Sequence, residues 1–272
     1  MAIKDLLNIV GRGTEASAPY AFWLAETCGA TLTASALVIE PDVPLHVSLE
    51  LPQTWLDRIR DEASQEAASV LQGVAETAKF RGLSVETLAW KTSTGDADRD
   101  AGRLARYYDL TILRQPDPDG VDTSSTIESV LFESGRPVLI VPYIAVRPQL
   151  NTVLIAWDAG PTVARAAGDA LPLLALAGTV EVLTVDRNET EFRRRSSEKL
   201  VQHLKRHAIG AEAKHIASDM DIASTLLSYA ADVDADLLVM GAYGHSRLRE
   251  IILGGTTHNV LHSMTLPVMM AH

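Results

Sequence analysis

The chain has 272 residues, 47% of them hydrophobic, a formal net charge of −11 and a single cysteine, Cys28. That length accommodates one large domain or two of ordinary size, and the apolar share supplies a core, which argues against a disordered chain. The acidic balance argues against a broad nucleic-acid or anionic-membrane surface, and a lone cysteine excludes an intrachain disulfide or a cysteine zinc cluster.

In chain order, residues 3–10 predict a strand, although Lys4, Asp5 and Asn8 interrupt it too often for a secretory leader. Glu15 to Cys28 predicts a helix with Ala18, Phe22, Ala25 and Cys28 towards one face, and Thr31 to Ile39 a β-branched second strand. Pro41, Pro44 and Pro52 break the chain. A long amphipathic helix follows, with Leu56, Ile59, Ala63, Ala67, Val70, Leu71, Val74 and Ala78 at helical spacing. Strands are then expected at Leu83–Trp90, Leu110–Leu113 and Pro137–Val141, and helices at Ala97–Tyr108 and Ser124–Glu133.

The same order returns. Strands are expected at Thr152–Trp157, Val180–Val185, Ala211–Ile216, Leu237–Met240 and Pro267–Met270. Helices are expected at Val163–Leu176, Glu191–His207, Ile222–Ala231 and Thr256–Ser263. No apolar stretch reaches the roughly 18 residues of a spanning helix; the best, Leu171 to Ala177, contains Pro172 and stops at Gly178. A cytoplasmic protein without membrane or nucleic-acid partners is expected.

Two runs of β/α steps imply an internal duplication. Arg-Pro-Val-Leu-Ile-Val-Pro at 136–142 answers Leu-Pro-Val-Met-Met-Ala-His at 266–272, and Tyr-Asp-Leu-Thr-Ile-Leu at 108–113 answers Ala-Asp-Leu-Leu-Val-Met at 235–240. The offsets are 130 and 127 residues, whereas the first strands lie about 147 apart, so the first copy carries extra chain at 41–58. Two domains are expected, 1–146 and 151–272, joined by a short Arg-Pro-Gln-Leu segment. Alternating strands and helices predict an α/β fold with a mainly parallel sheet and right-handed crossovers.

The most informative stretch is residues 235–257. An apolar run ends at Gly241, Gly244 follows, and Gly254, Gly255, Thr256 and Thr257 open a helical segment. Glycines allow close backbone approach to a ligand, and N–H groups at a helix start favour an anion. The P-loop is excluded, because no Gly-Lys-Ser/Thr occurs. The spacing resembles the G-x2-G-x9-G-[ST] nucleotide motif of the universal stress protein family, with Gly241, Gly244 and Gly254 at its glycines. Gly255 stands where that motif has a hydroxyl, and Thr256 follows.

The resemblance covers both copies and implies a tandem member: two open, Rossmann-like five-stranded sheets of order 3-2-1-4-5, flanked by helices. Ligands of such sheets bind where strands one and four diverge. It implies ATP, with Mg²⁺ carried by the triphosphate, in the second copy. The expected site comprises Ala156, Asp158, Val185, Met240, Gly241, Ala242, Gly244, His245, Ser246, Arg247, Gly254, Gly255, Thr256 and Thr257. Asp158 would meet the nucleoside or, alternatively, cap the helix near Pro161; the Val185 backbone would meet adenine. Arg247, His245 and Ser246 are candidate phosphate donors or solvated polar groups, and Thr256 and Thr257 candidate caps or phosphate contacts.

The first copy lacks this site: Gly11 replaces the aspartate, no glycine pair follows Arg114, and Asp117, Asp119 and Asp122 would repel phosphate. Gly11-Arg-Gly13-Thr-Glu-Ala16, with Glu40 later, fits the dinucleotide fingerprint, but no separate substrate domain follows. His258/His262 and His203/His207 have helical i, i+4 spacing without the glutamate of a zinc protease, so surface histidines are favoured over metal ligands. No catalytic residue is assigned. The expected function is an ATP-binding stress-response regulator with slow or no hydrolysis, either a monomeric pseudo-dimer or a homodimer, with an unknown protein partner. The alternatives are an adenylyl- or phosphoryl-transfer enzyme and a nucleotide-free interaction module.

Overall fold

The computed structural model describes residues 2–42, 52–186, 190–243 and 255–272. The chain divides into two compact units, Ile3–Arg136 and Pro137–His272, the latter joined by the N-terminal Ala2.

The first unit contains β1 (Asp5–Val10), α1 (Ala18–Cys28), β2 (Thr31–Glu40), α2 (Gln53–Phe80), β3 (Glu86–Ser93), α3 (Ala97–Ala105), β4 (Leu110–Arg114) and α4 (Ser124–Glu133). The second contains β5 (Val138–Val141), β6 (Thr152–Ala156), α5 (Pro161–Leu174), β7 (Thr179–Asp186), α6 (Glu191–Arg206), β8 (Ala211–Ala217), α7 (Ile222–Asp232), β9 (Leu237–Gly241), α8 (Thr256–Ser263) and β10 (Val268–Ala271). This is an α/β fold of mainly parallel strands with helices against them.

In the first unit the strands lie in the order β3-β2-β1-β4, all parallel. In the second the order is β5-β10-β9-β6-β7-β8. From β10 to β8 this is the expected 5-4-1-2-3 succession of a doubly wound sheet. β5 adds to the outer side of β10 in the antiparallel sense, Val268 opposite Ile140 and Met270 opposite Val138. The sequence places the joint at 146–151, whereas compactness groups β5 with the second unit, because β5 pairs there.

The core follows from the strands. Leu6, Leu7, Leu110 and Ile112 are fully buried in the first unit, as are Val153, Leu154, Ile155 and Leu237 to Val239 in the second. Strands covered on both faces read as continuous apolar runs rather than alternating ones. Asn8 is the polar exception in β1: its amide donates to the Ser17 hydroxyl at 2.9 Å and the Ile112 carbonyl at 3.1 Å.

The repeated Asp-Leu has a structural task. In the second unit the Asp236 carboxylate, just before β9, accepts from the Asn151 N–H at 2.7 Å, the Thr152 N–H at 3.0 Å and the Gln149 amide at 2.6 Å. In the first, Asp109 before β4 accepts from the N–H groups of Lys4 at 2.8 Å and Asp5 at 3.1 Å. Each aspartate ties the start of one strand, β4 or β9, to the start of the parallel strand beside it, β1 or β6, with charge-assisted bonds.

Most expected elements are present with shifted ends. The third strand moves furthest, from 83–90 to Glu86–Ser93. Leu83 cannot begin it, because its N–H is bonded to the Ala78 carbonyl at 2.9 Å and Gly82 turns the chain with φ 77°. That bond closes the C-terminus of α2. The third expected helix, α3, stops at Ala105 rather than Tyr108, and Arg106 to Tyr108 continue as turns. Part of the 41–58 insertion, 43–51, lies outside the described residues. Among the described residues no helix is long and apolar enough to cross a membrane.

One half-buried polar pair gives a pH prediction. The Tyr229 hydroxyl on α7 donates to Glu181 on β7 at 2.7 Å. Desolvation, then the hydrogen bond and charge of Glu181, push the phenol from 10.0 up to about 12. A folded pKa above the unfolded one means this stabilisation is whole below pH 10 and is lost as pH rises through about 12. The stability difference between wild type and Tyr229→Phe in urea is therefore expected to shrink across that window. Ultraviolet titration of tyrosinate should lose its highest step in the variant.

Candidate functional site

At the carboxyl ends of β6, β7 and β9 the second unit encloses a cavity of about 530 Å³. Ala156, Asp158, Val185, Met240, Gly241, Thr256 and Thr257 all line it. Seven of the expected site residues, spread over a hundred positions of sequence, thus meet at the divergence of β6 and β9. Of the others, Ala242 is fully buried behind the wall. Its N–H donates to the Ala271 carbonyl at 2.9 Å and its own carbonyl is 3.0 Å from His272 Nδ1, fixing the chain where it leaves β9. Gly255 is the N-cap of α8. Gly244, His245, Ser246, Arg247 and Gly254 lie outside the described residues.

Gly241 is required by close packing. A Cβ there would come 2.5 Å from the Val163 backbone nitrogen and closer still to the Thr162 hydroxyl, both in the first turn of α5. The end of β9 therefore rests directly on the start of α5, as only glycine permits.

Asp158 follows β6 and is exposed on the cavity wall. Its Oδ1 accepts the Gly160 N–H at 2.7 Å, an Asx turn that carries the chain into α5. The capping alternative is corrected by this geometry: the N-cap of α5 is Gly160, and Asp158 shapes the turn one step earlier. Between them Ala159 adopts φ 66°, an uncommon conformation for a residue with a side chain. The capping alternative for Thr256 and Thr257 is corrected likewise. Gly255 is the cap, Thr256 starts the helix, and the buried Thr257 hydroxyl accepts the Tyr243 N–H at 3.2 Å.

The helix starts around the cavity are of two kinds. α5 and α8 begin after glycines, which have no side chain with which to take up the first-turn N–H groups. Those ends keep their full positive dipole character and suit an anion. α6 and α7 are capped by their own chains: Thr190 accepts the Arg193 N–H at 3.3 Å, and Asp221 accepts the Ser224 N–H at 3.1 Å. On that side the wall is apolar, with Leu183, Val185 and Leu226 as a buried cluster.

Phe192, Arg193 and Ile222 complete this side, and no motif announces them. Arg193 pairs with Asp186 at 2.6 Å. The usable signal was positional: each stands in the first turn after a strand, where this class of sheet assembles its sites.

The corresponding crevice of the first unit is filled by its own chain. Arg114 ends β4, as Gly241 ends β9, and its guanidinium donates to the Gly13 carbonyl and to Asp117, the latter at 2.8 Å. The Thr123 hydroxyl donates to the Arg114 carbonyl at 2.7 Å, and the Gly11 N–H donates to the Thr14 hydroxyl at 2.7 Å. The glycine turn that fits the dinucleotide fingerprint is thus occupied by its own hydrogen bonds and by arginine. The acidity of Asp117 is met by Arg114 rather than left open to repel phosphate.

A groove of about 660 Å³ in the same unit runs between α1 and α2. It presents Glu15 and Glu66 against one cation, Arg12, a poor set for an anion. The His258 and His262 rings lie 4.1 Å apart, and His262 Nδ1 is 2.9 Å from the His258 carbonyl. Among the described residues no group of three or more His, Cys, Asp or Glu could hold a metal ion. Burial pushes the Cys28 thiol up, away from the reactive thiolate.

Residues 150–272 match the model of the Universal stress protein family. A stretch of 44 residues is 46% identical to Universal stress protein Slr1230 of Synechocystis sp., covering 16% of this chain and only 15% of that relative. The crystal structure of a universal stress protein from Archaeoglobus fulgidus overlays 98% of this chain and 96% of its own, with TM-score 0.73 at 17% identity. A crystal structure from Pseudomonas aeruginosa UCBPP-PA14 overlays 99% of this chain and 93% of its own, with TM-score 0.58 at 18% identity. At those identities the overlays speak to the fold alone. By sequence the likeness to that family thus runs through residues 150–272, and the overlays add a shared fold.

Proposed function

We propose that the second unit binds an adenine nucleotide, ATP with Mg²⁺, and that the protein is a stress-response regulator with slow or no hydrolysis. The observation that carries this is the polarity of the 530 Å³ cavity. One side offers two glycine-capped helix starts, and the other an apolar wall wide enough for a planar base. A nucleotide has the same division between anionic phosphates and an apolar heterocycle.

In this reading the start of α5 and Gly255, Thr256 and Thr257 at the start of α8 receive phosphate, and Gly244, His245, Ser246, Arg247 and Gly254, outside the described residues, are proposed as further contacts. Asp158 accepts a hydroxyl or amino hydrogen of the nucleoside. Mg²⁺ arrives on the triphosphate oxygens and completes its shell with water, in keeping with a single exposed carboxylate in the wall. No general base is assigned, so binding rather than turnover is the proposed output, read by an unidentified protein partner. We further propose a tandem protein, with 1–146 a degenerate domain and 151–272 the binding domain, working in the cytoplasm.

The test is to extract and identify the small molecules carried by the purified protein, then titrate it with ATP by calorimetry. A protein that carries no nucleotide and takes up none at millimolar ATP defeats the proposal. Asp158→Ala is expected to weaken ATP about tenfold, the scale of one charge-assisted hydrogen bond. Asp158→Asn, which keeps an acceptor for the Gly160 N–H, separates the loss of the charge from the loss of the turn.

A further inference from the structure

Two of the large apolar side chains that line the cavity are exposed. Phe192 is 72% exposed and Ile222 is 45% exposed, whereas Leu183 and Leu226, which line the same cavity, are 0% and 3% exposed. Exposed apolar residues scattered singly need no explanation, but two on the rim of one concave site form an unfinished surface.

Their placement is built rather than incidental. Phe192 is the second residue of α6 and Ile222 the first of α7, so each stands in the first turn of a helix that follows a strand of the same sheet. Both helix starts are held by side-chain caps, Thr190 and Asp221. The α6 start is held a second time, because Arg193, next to Phe192, is paired at 2.6 Å with Asp186 at the end of β7. Each cap takes up one first-turn N–H, and the Asp221 carboxylate adds a negative charge, so these ends suit an anion less well. The two glycine-capped ends, α5 and α8, do the reverse. The four helix starts therefore divide the cavity into a phosphate side and a base side, and Phe192 and Ile222 belong to the second.

We propose that Phe192 and Ile222 are specificity-determining residues that clamp the heterocyclic base of the bound nucleotide, an inference that rests on the nucleotide reading of this cavity. The base lies over Leu183, Val185 and Leu226, and the Phe192 ring and Ile222 side chain close on it from the two helix starts. Arg193 acts as a positioning residue through its bond to Asp186, fixing the first turn of α6. The clamp makes the site select for a base, where the glycine-capped helix ends alone would accept any polyphosphate.

The experiment compares two probes, ATP and inorganic tripolyphosphate, by calorimetry on the wild-type chain and on Phe192→Ala, Ile222→Ala and Phe192→Tyr. Neither side chain is part of the buried core, so the variants are expected to keep their fold, which thermal unfolding checks. Phe192→Ala is expected to weaken ATP about tenfold, the scale of one base–aromatic stack, and Ile222→Ala about threefold. Phe192→Tyr is expected to keep wild-type affinity, and tripolyphosphate binding to stay unchanged in all three. Unchanged ATP affinity in both alanine variants of a protein that binds ATP sinks the clamp and leaves the nucleotide site standing. Equal weakening of both probes also sinks it, since the residues then shape the helix starts and not the base contact. Wild-type protein that binds neither probe removes the clamp and the site together.

Discussion

Gly241→Ala is expected to abolish measurable nucleotide binding and to destabilise the second unit by about 2–4 kcal/mol, the upper range for forcing a methyl group into a packed position. The added carbon would meet not only the Thr162 hydroxyl but also backbone, the Val163 nitrogen at 2.5 Å, which cannot swing aside. Relief therefore requires β9 and α5 to separate. Those two elements carry Gly241 and the first turn of α5, both in the cavity wall, so stability and binding should fall together. Urea unfolding followed by circular dichroism measures the first, and ATP calorimetry the second. A variant with wild-type stability would mean that β9 and α5 do not meet as closely as described.

The second large effect is expected at Asp236. Removing its carboxylate with Asp236→Ala leaves the N–H groups of Asn151 and Thr152 and the Gln149 amide without their acceptor. The expected loss is about 2–4 kcal/mol, since hydrogen bonds to a charged group contribute roughly 1.5–3 kcal/mol each and water recovers part of the deficit at the exposed Asn151. Asp109→Ala, which frees only the N–H groups of Lys4 and Asp5, should cost the first unit less. Urea midpoints of the two variants provide the comparison. Equal and small losses, below about 0.5 kcal/mol, would reduce both aspartates to ordinary surface charges.

The fold was largely legible because its strands are short apolar runs and its helices keep apolar spacing. Thr256–Ser263 was found to the residue, since Gly255 and the threonines punctuate a periodic segment. The Asp-Leu repeat was visible at 108–113 and 235–240, but its cause was not. That Asp109 and Asp236 each reach the start of another strand depends on contacts about a hundred residues apart in the first unit and about eighty-five in the second. β3 was displaced because a helix-terminal hydrogen bond to Leu83 outweighed its strand-like composition.

The site divides similarly. Glycine spacing drew attention to Gly241 and Thr256, and the end of a strand drew attention to Asp158. Phe192, Arg193 and Ile222 carried no motif, because their meaning arises only when two first turns converge on one hollow. Arg114 was read as the mere absence of a glycine, whereas its guanidinium occupies the space that the absence leaves.

The pairing of β5 with β10 bears on how the chain may be cut. Val268, Met269 and Met270 are wholly covered, with Ile140, Leu139 and Val138 beside them. A fragment begun at Asn151 would contain every described cavity residue yet leave β10 as a bare, greasy border with unclaimed ladder hydrogen bonds. Such borders recruit whatever strand is at hand, commonly a sister copy, and solutions of the fragment would be prone to clumping. Beginning the fragment at Pro137 instead keeps the β10 ladder claimed by β5.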